Sequence, residues 1–315
     1  MILSFTWGGY RMLKKINKTD YVVAVLPYFT TAWLGGILKK RFGAKFWIHV
    51  QDFEFDIVKQ LAVSRSGGLK TWVFKGLFAL EKNLFDSADC VSTISYGMLE
   101  KLKQKTVSPT YYFPNWIDLS AFKKEDYEKH EYIKSDKFNI LYAGTIGQKQ
   151  DWDFFLNVAK ELDPAKYEIV LVGSGARKSF LERNIKEMEN VNLCEPVPFE
   201  ELPQLLSSAD AHFLFQKTDV IDTVMPSKLL GMMASGKPSL VLGNSASEVK
   251  IVFSDACAGI FFTEPDVSAA IRAFEHFYDQ KGSGQGGYAR ARDFVFKNFG
   301  DTFILKNWEE ALERC

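Results

Sequence analysis

Three short stretches of this sequence put small, hydroxyl-bearing and cationic residues beside apolar runs. Pro226-Ser227-Lys228 opens the otherwise apolar helical pattern LLGMMA, where a buried helix needs neither serine nor lysine. Ser227 or its amide can cap that helix. Lys228, followed by Leu229 among the first-turn amides, sets a compact cation at the positive end of the helix dipole. Gly144, Thr145 and Gly147 in YAGTIGQKQDW, with Lys149 and Gln150 behind them, leave the backbone bare just before a helix. Such a turn can aim amides at a phosphate. Gly173 and Gly175 in LVGSGARK follow another apolar run. Each stretch alone also reads as a plain strand-to-helix turn or a surface lysine; their recurrence along one sheet edge favours an anion site.

Two chemistries are excluded. A GxGxxG fingerprint starting at Gly173 needs glycine where Lys178 stands, so a nicotinamide enzyme is not expected. His49, His130, His212 and His276 form no HxxxH or HExxH pair, so no protein-built metal site and no cofactor are expected. In the first half, HVQDFEFD sets His49, Gln51 and Asp52 at a strand end, with Glu54 and Asp56 just beyond. His49 shares a face with Trp47 and Gln51, which suits either a satisfied core histidine or an acid-base group facing a ligand. No two carboxylates have a spacing that marks them as acid and nucleophile.

The elements that must carry these residues follow from length and periodicity. A chain of 315 residues fits about two domains of ~150 residues each. Short β-rich runs alternate with helical patterns, the mark of βα units and a parallel sheet. Strands are expected at 21–27, 45–52 and 90–95 in the first half. Six more are expected at 138–144, 167–173, 190–196, 211–216, 238–243 and 258–263, each followed by a turn and an amphipathic helix. Six strands make a complete doubly wound domain, whose ligands bind at strand carboxyl ends. The first half has too few strands to match it. Lys123 to Asp136 reads as a charged linker and GSGQGG (282–287) as a loop, giving domains at 1–134 and 135–290 with carboxyl-terminal helices at 291–315.

Residues 1–134 carry 20 Lys and Arg against 13 Asp and Glu, while residues 135–315 carry 19 against 26. The basic half suits a membrane surface or an acidic ligand; a nucleic-acid partner is not expected. GGILKKRFGAKF and GGLKTWVFKGLFALEKNLF join lysines to Trp72, Phe74, Phe78 and Phe85, as an interfacial helix would, although core packing is the commoner explanation of such aromatics. No apolar run reaches the ~18 residues of a membrane span, and no signal-peptide pattern opens the chain. The expected location is the cytoplasm, with peripheral contact at the inner membrane face as an option. Cys90, Cys194, Cys257 and Cys315 lack CxxC spacing and read as core thiols.

In order, YAGTIGQKQDW, LVGSG, VNLCEPVPFEELPQLLSSADAHFLF and MPSKLLGMMASGKP resemble the donor-binding domain of family 4 glycosyltransferases of GT-B architecture. HVQDFEFD, STISYGMLEKL and FPNWID resemble acceptor-domain segments of its colanic-acid and capsular-polysaccharide subgroup. The resemblance implies an α/β chain of two Rossmann-like doubly wound domains, the first incomplete, since the chain opens well inside the family pattern. It implies transfer of a sugar from a GDP- or UDP-linked donor to a lipid-linked oligosaccharide in surface polysaccharide assembly, with retained configuration. The diphosphate would meet the Gly144 loop and the Pro226-Ser227-Lys228 helix, and the base would lie near Pro196 to Phe199, including Pro198. His49 or Asp52 would touch the sugar or orient the acceptor hydroxyl, with Asn115 and Trp116 in a loop near the same cleft.

Two departures accompany the resemblance. Where many members carry two glutamates eight residues apart, this chain has Thr223 and Gly231; where the first loop usually has arginine and lysine, it has Thr145 and Gln150. Lys149 and Lys228 remain as cations. The incomplete first domain keeps other readings open: a non-catalytic nucleotide-sugar-binding subunit, a partner chain that supplies amino-terminal strands, or a GT-B sugar-nucleotide epimerase.

Overall fold

The computed structural model describes residues 2–53, 55–56, 68–122, 128–133, 136–218, 227–282 and 288–315. Pro226, Thr223 and Glu54, together with Lys123–Tyr127 and most of GSGQGG, lie outside the described residues. The chain divides into two compact units, 1–114 with 305–315, and 115–304. This moves both expected boundaries.

The reason lies in where residues 115–122 and 128–133 are bound. The Ile117 amide donates to the Phe299 carbonyl at 2.9 Å, and the Asp301 amide returns to the Ile117 carbonyl at 3.0 Å. Arg292 donates to the Phe122 carbonyl at 2.6 Å. Phe122 and Ile133 are buried in the second unit's core. The charge of this part of the sequence suggests a linker, whereas Ile117, Phe122 and Ile133 already belong to the second unit.

The first unit holds a four-stranded parallel sheet in the order β1 (Tyr21–Leu26), β2 (Lys45–Val50), β3 (Cys90–Thr93), β4 (Thr110–Tyr112). Helices α1 (Ile2–Leu13), α2 (Phe29–Phe42), α3 (Gly68–Asp86) and α4 (Tyr96–Lys105) accompany it. Ser95 caps α4 by accepting the Met98 amide at 3.1 Å. β2 is buried on both faces beyond Lys45, as expected inside a parallel sheet. Edge strand β1 differs: Val22, Ala24 and Leu26 are buried, while Tyr21, Val23 and Val25 are exposed.

Among the described residues, β4 is the strand of this unit that the sequence pattern does not show; three residues, Thr-Tyr-Tyr, are too short to display a period. Phe85 is buried, so its aromatic ring belongs to the core and not to an interfacial face, whereas Trp72 is exposed. Cys90 and Cys315 form a disulfide with their Cα atoms 6.3 Å apart. Cys194 is half-buried and Cys257 exposed. The expectation of four core thiols is therefore corrected: spacing along the chain carries no trace of a contact across 225 residues.

The second unit holds six parallel strands: β5 (Phe138–Ala143), β6 (Tyr167–Val172), β7 (Val191–Cys194), β8 (Ala211–Phe215), β9 (Ser239–Leu242) and β10 (Gly259–Phe262). All six strands expected from the sequence are present. Their spatial order, β10-β9-β8-β5-β6-β7, reverses direction between β5 and β8. That is the doubly wound arrangement, and it opens a crevice at the carboxyl ends of the strands flanking the switch point. A dense aromatic core that includes Phe155, Phe213, Phe215 and Phe274 supports the sheet. Asp151 caps helix α6 (Trp152–Glu161) by accepting the Phe154 amide at 3.0 Å, and Trp152 Nε1 donates to the Gly147 carbonyl at 2.7 Å. The turn between β5 and α6 is thus tied at both ends.

Candidate functional site

Tyr142 ends the buried part of β5, and its hydroxyl donates to the Thr145 carbonyl at 2.6 Å. Lys228 stands in the first turn of helix α9 (Ser227–Ala234), and its Nζ donates to the same hydroxyl at 3.1 Å, 5.0 Å from the ring centroid. Burial pushes the Tyr142 phenol well above its ordinary pKa, so it stays a neutral relay. The lysine stem lies across Gly144: a Cβ built there would fall 2.2 Å from Lys228 Cε and 2.5 Å from Nζ. Strand β5, its turn and the amino end of α9 therefore converge on one cation.

The glycines of the two loops do different work. A Cβ on Gly173 would sit 1.9 Å from the Gly144 carbonyl oxygen, and one on Gly175 would sit 2.4 Å from the Ile146 carbonyl oxygen. Both are bare so that the second loop can lie against the first. The turn's amides are largely engaged: Gly144 donates to Val172, and Ile146 to Ser174. Gly147 donates to Gln150 Oε1 at 3.1 Å. Gln150 is itself buried, so it shapes the turn and presents no exposed amide.

A cavity of about 810 Å³ opens over these groups, wholly within the second unit. Gly144, Thr145, Gly173, Ser174 and Lys228 form its polar end; Pro196, Val197, Phe199, Leu202, Pro203 and Leu206 form an apolar end. Trp116, Ile117, Asp118, Ala121 and Phe122 make a third wall, and Leu230, Gly231 and Met232 extend α9 along the floor. Among the described residues, the carboxylates on the lining are Asp118 and Glu200. Hydrogen bonds from the Ser120 hydroxyl and amide hold the Asp118 carboxyl below its ordinary value. A Cβ on Gly231 would meet Leu206 Cδ1 at 3.0 Å, a tight contact with a side chain that can shift.

Of the residues singled out in the sequence, Gly144, Thr145, Gly173, Phe199 and Lys228 are brought together in the cavity lining. Gly147, Lys149, Gln150, Gly175, Pro198 and Leu229 are not on it. The Leu229 side chain is fully buried, which leaves its backbone as the group that can face a ligand. Ser227 begins α9 as expected. Sequence reasoning missed Tyr142, which looks like any core aromatic in an apolar strand. It also missed Met232, although its spacing of four from Lys228 places both on one helix face.

His49 and Asp52 belong to the first unit. His49 is 4% exposed. Its Nδ1 pairs with Ser92 Oγ and its Nε2 with Gln51 Nε2, each at 2.8 Å, and Phe113 packs against the ring at 5.0 Å. Burial lowers its pKa to about 4. That environment is the satisfied core histidine weighed in the sequence. Asp52 is half-buried and accepts the Phe53 amide at 3.1 Å. Among the described residues no group of three or more His, Cys, Asp or Glu could hold a metal ion.

The family described as "Glycosyl transferases group 1" matches residues 123–292, more than half of the chain. The chain belongs to the group 1 glycosyl transferases. It is 29% identical over 249 residues to WcaI of Escherichia coli (strain K12), a protein whose name places it as a glycosyl transferase in colanic acid biosynthesis; the match covers 76% of this chain and 61% of that protein. It is 25% identical over 256 residues to an uncharacterized 41.2 kDa protein in the cps region of Klebsiella pneumoniae, covering 76% of this chain and 65% of the relative. The matches thus span less than two thirds of these curated relatives.

Solved structures show the same fold across this group 1 member. Sucrose-phosphate synthase from Thermosynechococcus elongatus superposes with a TM-score of 0.72 at 14% identity, covering 99% of this chain and 77% of the other. The Anabaena protein Alr3699/HepE in complex with UDP-glucose gives 0.70 at 13% identity, covering 100% and 82%. The GT-B expectation is met, with two parallel sheets in two Rossmann-like units.

Proposed function

We propose that the second unit binds a nucleoside diphosphate sugar and that the protein transfers the sugar, with retained configuration, to a lipid-linked oligosaccharide in surface polysaccharide assembly. The observation that carries this reading is the cavity at the switch point, where Lys228 and the amino end of α9 face the bared backbone of Gly144 and Gly173. The named relatives support the polysaccharide context, and the Anabaena neighbour supports a nucleotide-sugar ligand.

As the bond between the anomeric carbon and the diphosphate oxygen breaks, its electron pair and growing negative charge go to the diphosphate. Lys228 and the dipole of α9 stand where that charge would be stabilised. Because Tyr142 already holds Nζ, the cation is pre-set and little reorganisation accompanies the step. The apolar end between Pro196 and Leu206 offers surface to a planar base, and Phe199, 77% exposed, offers a ring to stack on it. Removing one well-placed donor to a developing anion costs roughly 3 to 4 kcal/mol, or ~10²–10³ in rate. A solvated lysine would cost almost nothing.

One observation favours a second reading, a nucleotide-sugar-binding subunit without its own turnover. His49, the histidine that the sequence offers for acid-base work, has both ring nitrogens engaged inside the first unit. Calorimetric titration with GDP and UDP, repeated on Lys228→Ala, tests the shared premise. Micromolar binding of one nucleotide, weakened at least about tenfold by the substitution, supports the site and selects the donor base; about 1.4 kcal/mol corresponds to that factor. Absence of binding to either nucleotide removes both readings. Glycosyl transfer that survives in His49→Gln shows that turnover does not need this ring.

A further inference from the structure

We infer that the Cys90–Cys315 bond is a redox latch: closed, it seats the helix Asp301–Arg314 on the first unit, and thiol–disulfide exchange with a low-molecular-weight thiol releases that helix. Residues 305–315 belong to the first unit, yet their seat on it is slight. Trp308, Ala311, Leu312 and Cys315 are half-buried, and every other residue of 305–315 is exposed. Trp308 stacks on Phe113 at 5.3 Å and meets Trp47 edge-on at 6.1 Å. Its indole Nε1 is buried there with no hydrogen-bond partner among the described residues. An unpaired buried donor opposes docking, and release to water removes that cost. The Lys45 ammonium adds a hydrogen bond to the Cys315 carbonyl. With so little side-chain burial, the covalent bond is what holds the helix down.

The two sulfurs sit in different surroundings. Cys90 is 1% exposed, in a strand paired on one side with β2 and on the other with β4. Its strand is therefore held whether or not the bond is made, and the bond constrains the helix and not the sheet. Disulfides stand in for a core in small domains, whereas this unit buries Phe46, Trp47, Ile48 and Val91 without one. Half-buried Cys315 is the sulfur a small thiol can reach. A thiolate attacks Cys315 Sγ, the S–S bond breaks, and Cys90 leaves as thiolate and takes a proton. A second small thiol then attacks the mixed disulfide, which frees the Cys315 thiol and a small disulfide. The protein gains the two electrons and two protons that the two small thiols give up; the small disulfide drives the reverse. What the latch controls lies beside His49. Phe113 packs on that imidazole at 5.0 Å, and Trp47 Nε1 donates at 2.7 Å to Ser92 Oγ, which pairs with His49 Nδ1 at 2.8 Å. Seated, Trp308 steadies both aromatic neighbours of the ring; released, it leaves them free to move.

The test compares the full chain in glutathione disulfide with the full chain in excess reduced glutathione. Alkylation in denaturant, read by mass spectrometry, should find two thiols in the first buffer, Cys194 and Cys257, and all four cysteines in the second. Hydrogen exchange of the native chain should then show the amides of 305–315 exchanging at least about tenfold faster when reduced, with a smaller rise at 110–113. Cys315→Ser should exchange at the fast rate in both buffers, and Cys257→Ser should respond as the parent does. Four thiols in glutathione disulfide would overturn the inference, because the bond would not form. Equal exchange at 305–315 in the two buffers would also overturn it, since packing alone would then hold the helix. So would loss of protection throughout 21–112 on reduction, which would make the bond a scaffold of the whole unit.

Discussion

Lys228 lies across Gly144 so closely that a Cβ on the glycine would stand 2.2 Å from the lysine Cε. Gly144→Ala should therefore displace the lysine rather than unfold the unit, because a flexible side chain can move aside. The alanine's positive φ adds about 1–3 kcal/mol of backbone strain. The expected outcome is a cooperative melt lowered by no more than that strain, with nucleotide affinity reduced to the Lys228→Ala level. Gly144→Ala combined with Lys228→Ala should lose nothing further, the mark of two residues acting through one contact. Calorimetric titration of the three variants checks this; additive losses would show that Gly144 contributes separately.

Tyr142→Phe removes the hydroxyl that joins Lys228 Nζ to the Thr145 carbonyl. The Thr145 carbonyl, on an exposed residue, loses this donor but can turn to water, so the stability cost should be about 0.5–1.5 kcal/mol. Nucleotide affinity should fall by less than in Lys228→Ala, because the cation is retained but loosened. Paired denaturation and titration curves separate the two effects.

Gly173→Ala and Gly147→Ala look alike in sequence but should behave differently. At Gly173 the new Cβ would sit 1.9 Å from a backbone oxygen, which cannot yield without moving the first loop. At Gly147 it would meet two side-chain atoms, Gln150 Oε1 at 3.3 Å and Thr145 Cγ2 at 3.7 Å. A loss of about 2–3 kcal/mol or more is expected for the first and under about 1 kcal/mol for the second. Urea denaturation followed by circular dichroism reads both.

Acid should destabilise the fold before most carboxylates titrate. His49 is held to about 4 and His212 to about 3 by burial, the latter assisted by nearby Lys237. An unfolded histidine takes its proton near pH 6.5, while these two remain neutral when folded. Stability is therefore unaffected above pH 6.5 and falls below it, until the pH reaches each folded value. Each ring contributes a slope of up to about 1.4 kcal/mol per pH unit. In His49→Gln the slope between pH 6.5 and 5 should drop by about half, as measured by urea midpoints at successive pH values. An unchanged slope would mean that the ring is accessible to protons in the fold.

The nine strands expected from apolar runs were legible because most of them are buried on both faces, which continuous Val, Ile and Leu runs record directly; β1 showed through its apolar composition although Tyr21, Val23 and Val25 are exposed. Thr110–Tyr112 was not legible, since an edge strand of three residues has no pattern to show. The polar end of the cavity was likewise legible through Gly144, Gly173 and Lys228, whose residue types are odd beside apolar neighbours. Its apolar walls were legible in part: the family resemblance put Pro196 to Phe199 and Trp116 near the cleft, whereas Ile117 and Phe122 reach the cavity from a segment that looks like the approach to a charged linker. Gly175 and Gln150 were recognised as special, but for a different job, since one lets two loops touch and the other satisfies an amide.

By itself the sequence determined the alternation of elements, the switch-point domain and the presence of a cation at a helix start, because each is written in local periodicity and residue type. Only the tertiary structure decided which glycines lie against backbone and which against Lys228. It also decided that Tyr142 couples that lysine to the first loop, that His49 is enclosed, and that Cys90 meets Cys315. Those facts depend on distances between residues far apart in the chain, and composition and spacing carry no information about such distances until packing sets them.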